Sequence, residues 1–263
     1  MSSRPERRGA AQQFYSTAEA AKYDASARMA QTQRHLADRA LHLLDLPPDR
    51  PALLLDCGCG TGYSGAPLAR AGHTWLGVDV SEPMLRAARA ARPTASLLAA
   101  VDLGRGLPFR KGSFDGAISI SAVQWLCQPT REGLAPATRV RKFFVGLHAV
   151  LAPGARAVLQ FYPEAPSDVE MLREAAGNAG FAGGLVVDYP WSERSKKLFL
   201  VLVKANAPPS MGGAPSVGAA SRKAKPGANG RKGGMSRREG KQPRAHPAGE
   251  RQRKRAKKGG GEQ

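Results

Sequence analysis

Apolar and polar positions along this chain follow two different rhythms. Between residues 14 and 46 (FYSTAEAAKYDASARMAQTQRHLADRALHLLDL), Leu36, Ala40, Leu43 and Leu44 recur at helical spacing. This predicts two helices, stopped by Pro47-Pro48. From residue 52 onward, short apolar runs take turns with amphipathic segments. The runs at 52–56, 75–80, 95–101, 114–121 and 156–162 predict five successive strands. Between them the pattern predicts a helix over about 63–71 and another that Ser81 caps and Pro83 starts, reaching about residue 91. A long amphipathic helix follows over 137–151, closed by Pro153-Gly154, and another over 167–179, stopped by Gly180. Segments 185–189 and 197–203 then complete the sheet as an antiparallel, hairpin-like pair. The expected body is an α/β fold, a seven-stranded, mostly parallel sheet with helices on both faces. It occupies residues 51–204, behind a helical segment over 13–50. Residues 1–12 and 205–263 lack core-forming residues and are expected to be disordered.

Two of the apolar runs end in an acid, and this places the chemistry. LLLDCGCGTGYSG carries Asp56 and then glycines at alternate positions, Gly58, Gly60 and Gly62. Twenty-three residues after Asp56, WLGVDV ends in Asp79. A dinucleotide site would want G-x-G-x-x-G, and the position for its third glycine holds Tyr63. The observed spacing favours S-adenosylmethionine, which has no pyrophosphate but does have an ammonium and a carboxylate. Asp56 would support the ammonium, directly or through water, and the Gly58 and Gly60 amides would meet the methionine moiety. Asp79 would accept both ribose hydroxyls, since a carboxylate's two oxygens suit a vicinal diol. Asp102, with Leu103 beside it, would accept from the adenine amino group after the third strand. A glycine-rich turn can merely join strand to helix. Acids placed after successive strands make the cofactor reading the stronger one.

The fourth strand runs into SAVQWLC, residues 121–127. That loop offers Ser121, Gln124 and Trp125 to an acceptor, and Tyr162 follows the fifth strand on the same rim. The loop lacks a [DN]-P-P-[FY] signature for an exocyclic amine and has no cysteine placed to attack a pyrimidine ring. No general base is expected, so these residues orient the acceptor. Guanine N7 suits such a site because it has a lone pair and no proton to lose. Trp125 and Tyr162 could stack on a base, or could equally serve as packing aromatics. Asp188 carries no evident chemistry and is assigned a structural role.

Charge adds a partner. The chain has 40 Lys plus Arg against 21 Asp plus Glu, a formal charge of +19. From Ala205 onward 15 basic residues stand against 3 acidic ones. RQRKRAKK, residues 251–258, reads as a nuclear localisation signal, a nucleic-acid phosphate contact or both. Cys57, Cys59 and Cys127 lack metal-ligand spacing, so no metal is expected. No apolar run approaches a membrane span, and the N-terminus has no secretory signal.

Several strings together resemble the eukaryotic 18S ribosomal RNA guanine-N7 methyltransferases: FYxxxEAxKY, LDxGCGTGxSG, GHxWxGxDxSxxML, SISAVQWLC, RAVLQxYPE and GGxVVDYP. The similarity runs from Phe14 to about Leu202. It implies a class I S-adenosylmethionine-dependent fold and methylation of one guanine N7 in small-subunit pre-rRNA during 40S biogenesis. By matched position it implies cofactor contacts at Asp56, Gly58, Gly60, Asp79, Asp102 and Leu103, with Ser119 near the adenosyl group. Tyr63 departs from the smaller aliphatic residue usual there. The tail keeps an MSRR element at residues 235–238 and is otherwise reduced. The resemblance also implies a small zinc-containing activator subunit. The stretch TASLLAAV, whose Ala95 and Val101 bound the expected third strand, would be an unprotected sheet edge suited to strand addition. A different reading is a ribosome-assembly scaffold for which methylation is dispensable.

Overall fold

A computed structural model of the chain describes residues 5–92, 97–129 and 133–206. Strands β1 (Leu53–Cys57), β2 (Thr74–Asp79), β3 (Leu98–Ala100), β4 (Phe114–Ile120), β5 (Leu151–Phe161), β6 (Phe181–Asp188) and β7 (Lys197–Lys204) form one sheet. Its order is β3-β2-β1-β4-β5-β7-β6, with β7 antiparallel to both of its neighbours and the remaining pairs parallel. The strand order reverses at β1, so the carboxyl ends of β1, β2 and β4 open a crevice there, the usual ligand position in such sheets.

Helices cover both faces. α1 (Ala11–Phe14), α2 (Thr17–Asp24) and α3 (Ala27–Leu44) precede β1, and α4 (Gly65–Arg70), α5 (Glu82–Ala91), α6 (Pro136–Val150) and α7 (Pro166–Asn178) lie between later strands. One core cluster joins α3 (Leu36, Ala40, Leu44), α4 (Leu68) and α5 (Leu85) to Leu54 and Ile118. The other joins α6 (Phe143, Phe144, Leu147) and α7 (Leu172) to Leu55 and Leu159 on the opposite face. Ser81 caps α5 by accepting the Met84 N–H at 3.4 Å, with Pro83 in its first turn.

Several boundaries differ from expectation. The N-terminal segment makes three helices instead of two, and a short 3-10 turn at Pro5–Arg8 precedes them. Residues 5–12, expected to lack structure, are thus folded, and Glu6 among them accepts from the Gln124 side chain at 3.0 Å. Pro153-Gly154 lies within β5 instead of in a loop. The pairing with β4 jumps there from Phe114↔Leu151 to Gly116↔Arg156, and the left-handed Gly154 absorbs the extra residues. α4 is shorter than predicted, because the glycine turn continues through Ser64. β6 begins at Phe181, directly after α7. β3 is described only over Leu98–Ala100; residues 95 and 96 lie outside the described residues, as do 1–4 and 207–263 with the basic tail.

Candidate active site

A cavity opens at the carboxyl ends of β1, β2 and β4. Gly58, Gly60, Asp79, Asp102, Leu103, Ser121 and Trp125 all line it. The turn after β1 shapes its floor. Gly58 and Gly60 have φ of 78° and 54°, in the left-handed region. A Cβ on Gly58 would overlap the Ala122 Cβ, so only a bare backbone can run this close to the loop after β4. The Gly58 and Cys59 amides both donate to the Val78 carbonyl, at 2.7 and 3.0 Å, which pins the turn to β2.

Asp79 finishes that link. Its Oδ2 accepts the Gly60 N–H at 2.9 Å and its Oδ1 accepts the Ser81 N–H at 2.8 Å. Burial raises its pKa, and the Ser81 and Gly60 amides oppose that rise. Its two oxygens offer four lone pairs in all, more than these amides take, which leaves room for a sugar hydroxyl. Asp102 caps the 3-10 turn Leu103–Arg105 through the Gly104 N–H at 2.9 Å, and its Oδ2 lies 3.4 Å from Arg105 Nε.

Asp56 stands one layer behind the cavity wall. It is fully buried, and Ser64, which does line the cavity, donates its hydroxyl to Asp56 Oδ2 at 2.6 Å. Its Oδ1 is buried without a hydrogen-bond partner among the described residues. Burial pushes the Asp56 carboxyl up to about 7, and the Ser64 bond works against that rise. An unsatisfied buried carboxylate oxygen behind a glycine cradle suits a ligand that brings an ammonium group. The glycine turn, the diol-matched Asp79 and the orphaned Asp56 oxygen together fit S-adenosylmethionine.

Other expected residues point elsewhere. Ser119 does not line the cavity; its hydroxyl donates to the Cys57 carbonyl at 2.7 Å, inside the sheet between β4 and β1. Its neighbour Ile120 faces the cavity instead, as strand alternation requires. Gln124 is buried and turned away, donating to Glu6 Oε1 at 3.0 Å and to the Ser121 carbonyl at 2.9 Å. Trp125 lines the cavity but packs against Phe14 and Tyr15, with ring centroids 5.9 and 5.7 Å away. Tyr162 lies outside the cavity lining, with the Lys197 ammonium 5.4 Å from its ring centroid. Ser121 holds a left-handed φ of 56° and donates to Gln160 Oε1 at 2.7 Å. Such a non-glycine conformation costs on the order of 1 kcal/mol and fixes the loop after β4.

The N-terminal helices supply residues that sequence reasoning missed. Ala11, Tyr15, Tyr23 and Gln33 line the cavity. Ser81 donates to the Tyr15 carbonyl at 2.9 Å, and Arg92 pairs with Asp24 at 2.6 Å while lying 3.9 Å from the Tyr63 ring centroid. These contacts hold α1 and α2 over the cavity. Burial raises the Tyr15 and Tyr23 hydroxyl pKa values, so both stay neutral donors. The aromatic cluster Phe14, Tyr15 and Tyr23 within an otherwise alanine-rich segment was the available signal. Arg139 of α6 also lines the cavity and donates to the Trp125 and Gln128 carbonyls at 3.2 and 3.1 Å; burial lowers its pKa.

Comparison with known proteins agrees with this geometry. A methyltransferase-domain family matches residues 55–159. The mouse 18S rRNA (guanine-N7)-methyltransferase is 49% identical over 201 residues, covering 76% of this chain and 71% of the mouse protein. The Arabidopsis thaliana 18S rRNA (guanine-N7)-methyltransferase is 48% identical over 203 residues, 77% of this chain and 70% of its own length. Among solved structures, a TehB-like S-adenosylmethionine-dependent methyltransferase from Corynebacterium glutamicum shares the fold, with a TM-score of 0.52 and 23% identity over 72% of this chain and all (100%) of that one. A Haloferax volcanii methyltransferase, solved in complex with the Trm112 methyltransferase activator, has a TM-score of 0.50 and 19% identity over 72% of this chain and 97% of that one.

Proposed function

The chain belongs to the 18S rRNA (guanine-N7)-methyltransferase family, and on that premise we propose how its cavity methylates a guanine of small-subunit rRNA. It is a class I S-adenosylmethionine-dependent methyltransferase. When bound, the cofactor supplies an electrophilic methyl group on a sulfonium. Gly58 and Gly60 cradle its methionine end, with Asp56 supporting the ammonium from behind Ser64, through that hydroxyl or a water. Asp79 takes the ribose hydroxyls, and Asp102 with Leu103 bounds the adenine end.

One observation carries the choice of acceptor atom. The acids lining the cavity among the described residues are Asp79 and Asp102, and each already holds backbone amides at the cofactor end. The acceptor end is bounded by Ser121, Trp125, Gln33 and Tyr15, with no carboxylate or imidazole among the described residues that line it; Glu6 stands behind it, held by the Gln124 side chain. An amine or hydroxyl acceptor would need a base to take its proton, whereas guanine N7 needs only orientation and exclusion of water. Guanine N7 is hidden in the deep groove of A-form RNA, so the target base is unpaired or flipped when it enters.

Finer features follow the same reading. The protein works with a small zinc-containing activator subunit docked along β3, the sheet edge. Supporting this, Leu97 and Val145 are 44% and 50% exposed beside that edge, and a cleft of about 600 Å³ runs there past Val101, Leu107 and Val145. The activator complex of the Haloferax volcanii neighbour is consistent with such an assembly. The site of action is the nucleus, in 40S biogenesis, with the basic run 251–258 as import signal or rRNA contact. Mapping N7-methylguanosine in 18S rRNA from cells with and without the protein tests the proposal. Loss of the modification at one guanine is expected; an unchanged map would refute it.

A further inference from the structure

The loop between β6 and β7 holds a feature the reaction does not use. Trp191 is 83% exposed and Tyr189 54%, with their rings edge to face at 6.3 Å. β6 runs parallel to β4, so its carboxyl end lies on the same rim as the cavity. The rim passes from Ser121 after β4, past Tyr162 after β5 and Lys197 opening β7, to Asp188 and Tyr189. In the register Phe161 faces Leu198 and Lys197 faces Asp188, so these residues form one continuous row. Three strand spacings separate the two ends, about 14 Å.

The tip is held rigidly. Arg39 donates to both Asp188 oxygens, at 2.9 and 3.1 Å. Tyr189 is fixed in a left-handed φ of 54°, and its carbonyl accepts the Ser192 N–H at 3.1 Å. The Lys196 N–H donates to the Ser192 carbonyl at 2.7 Å, which closes the turn. Glu193 takes Lys196 in an ion pair, while Arg194 is exposed beside the aromatic pair. A braced loop that keeps a tryptophan in water, next to cations, has the make-up of a base-stacking platform.

Resting on the rRNA methyltransferase reading, we propose that the β6–β7 tip binds single-stranded rRNA flanking the target guanine. Trp191 and Tyr189 stack on bases, and Arg194 and Lys197 meet phosphates. A guanine reaching into the cavity leaves its neighbouring nucleotides along this rim, a few residues away. With Asp188 held by Arg39 and Glu193 by Lys196, Arg194 and Lys197 are the charges left at the tip, which favours a polyanion here over an apolar protein or lipid surface.

The test uses the full chain co-expressed with its activator subunit. Single-stranded oligoribonucleotides spanning the methylated guanine are titrated against wild type, Trp191→Ala, Trp191→Phe and Arg194→Ala, and KM and kcat for 18S rRNA are measured. Trp191→Ala should weaken RNA binding and raise KM about tenfold or more, with kcat, S-adenosylmethionine affinity and melting temperature unchanged. Trp191→Phe should keep most of the affinity, and Arg194→Ala should flatten its salt dependence. Unchanged RNA binding and KM in Trp191→Ala would overturn the proposal. So would a defect that appears instead in activator co-purification, self-association or vesicle binding. A wild-type protein that binds these oligonucleotides yet puts no methyl on guanine N7 would refute the enzymatic reading and leave the platform standing.

Discussion

Asp79 accepts the Gly60 amide on Oδ2 at 2.9 Å and so locks the end of β2 to the glycine turn after β1. One carboxylate shapes the cradle and also faces the cavity. Replacing it with asparagine removes one acceptor and sets an amide donor against either Gly60 or Ser81. Asp79→Asn should lower S-adenosylmethionine affinity at least tenfold and destabilise the turn by about 1–3 kcal/mol. Calorimetric titration of the cofactor, alongside thermal unfolding, checks both effects.

Asp56 should make cofactor binding depend on pH. Burial lifts its folded-state pKa to about 7, above the ordinary carboxylate range. The neutral form therefore favours the fold. That contribution is complete below about pH 4 and is lost as pH rises through 7. Binding an ammonium reverses the preference and ionises the acid. Affinity should rise between pH 6 and 8, with proton release detectable by calorimetry in buffers of differing ionisation heat. Asp56→Asn should abolish that release.

Gly58 tolerates no side chain. A methyl there meets Ala122 Cβ and must adopt a φ of 78°. Gly58→Ala should cost about 3 kcal/mol, seen as a melting point several degrees lower, and should abolish cofactor binding. Gly72→Ala is the control. It has a similar φ of 84° but nothing within 4 Å of its added Cβ, so it isolates backbone strain from the collision.

Arg92 holds the N-terminal cover in place through Asp24 and the face of Tyr63. The pair is largely buried, and removing one partner strands the other. Arg92→Ala should destabilise by about 2–4 kcal/mol. Amide hydrogen exchange should speed up over residues 15–24, and cofactor release should accelerate.

The sequence pattern made the sheet legible because each strand leaves an apolar run and two of the runs end in acids. Asp56 and Asp79 could be placed on that logic alone. Ser119 could not, because β4 is buried on both faces from Gly116 to Ile120, so alternation carries no signal about which side chains meet the cavity. Gln124 defeats sequence reading for another reason. Its side chain is turned by Glu6, 118 residues away along the chain. The role of α1 and α2 was hidden too. Helical periodicity says that a face packs, not that it packs over the cofactor cavity. Pro153-Gly154 reads as a turn, but pairing with β4 overrides it and makes it an irregularity within β5.

The most direct test is reconstituted transfer: purified chain with its activator, labelled S-adenosylmethionine and unmodified 18S rRNA, followed by cleavage at N7-methylguanosine. Label confined to N7 of one guanine, and absent with Asp79→Ala, is the predicted result. Cofactor bound in the cavity without label on any guanine N7 would contradict it.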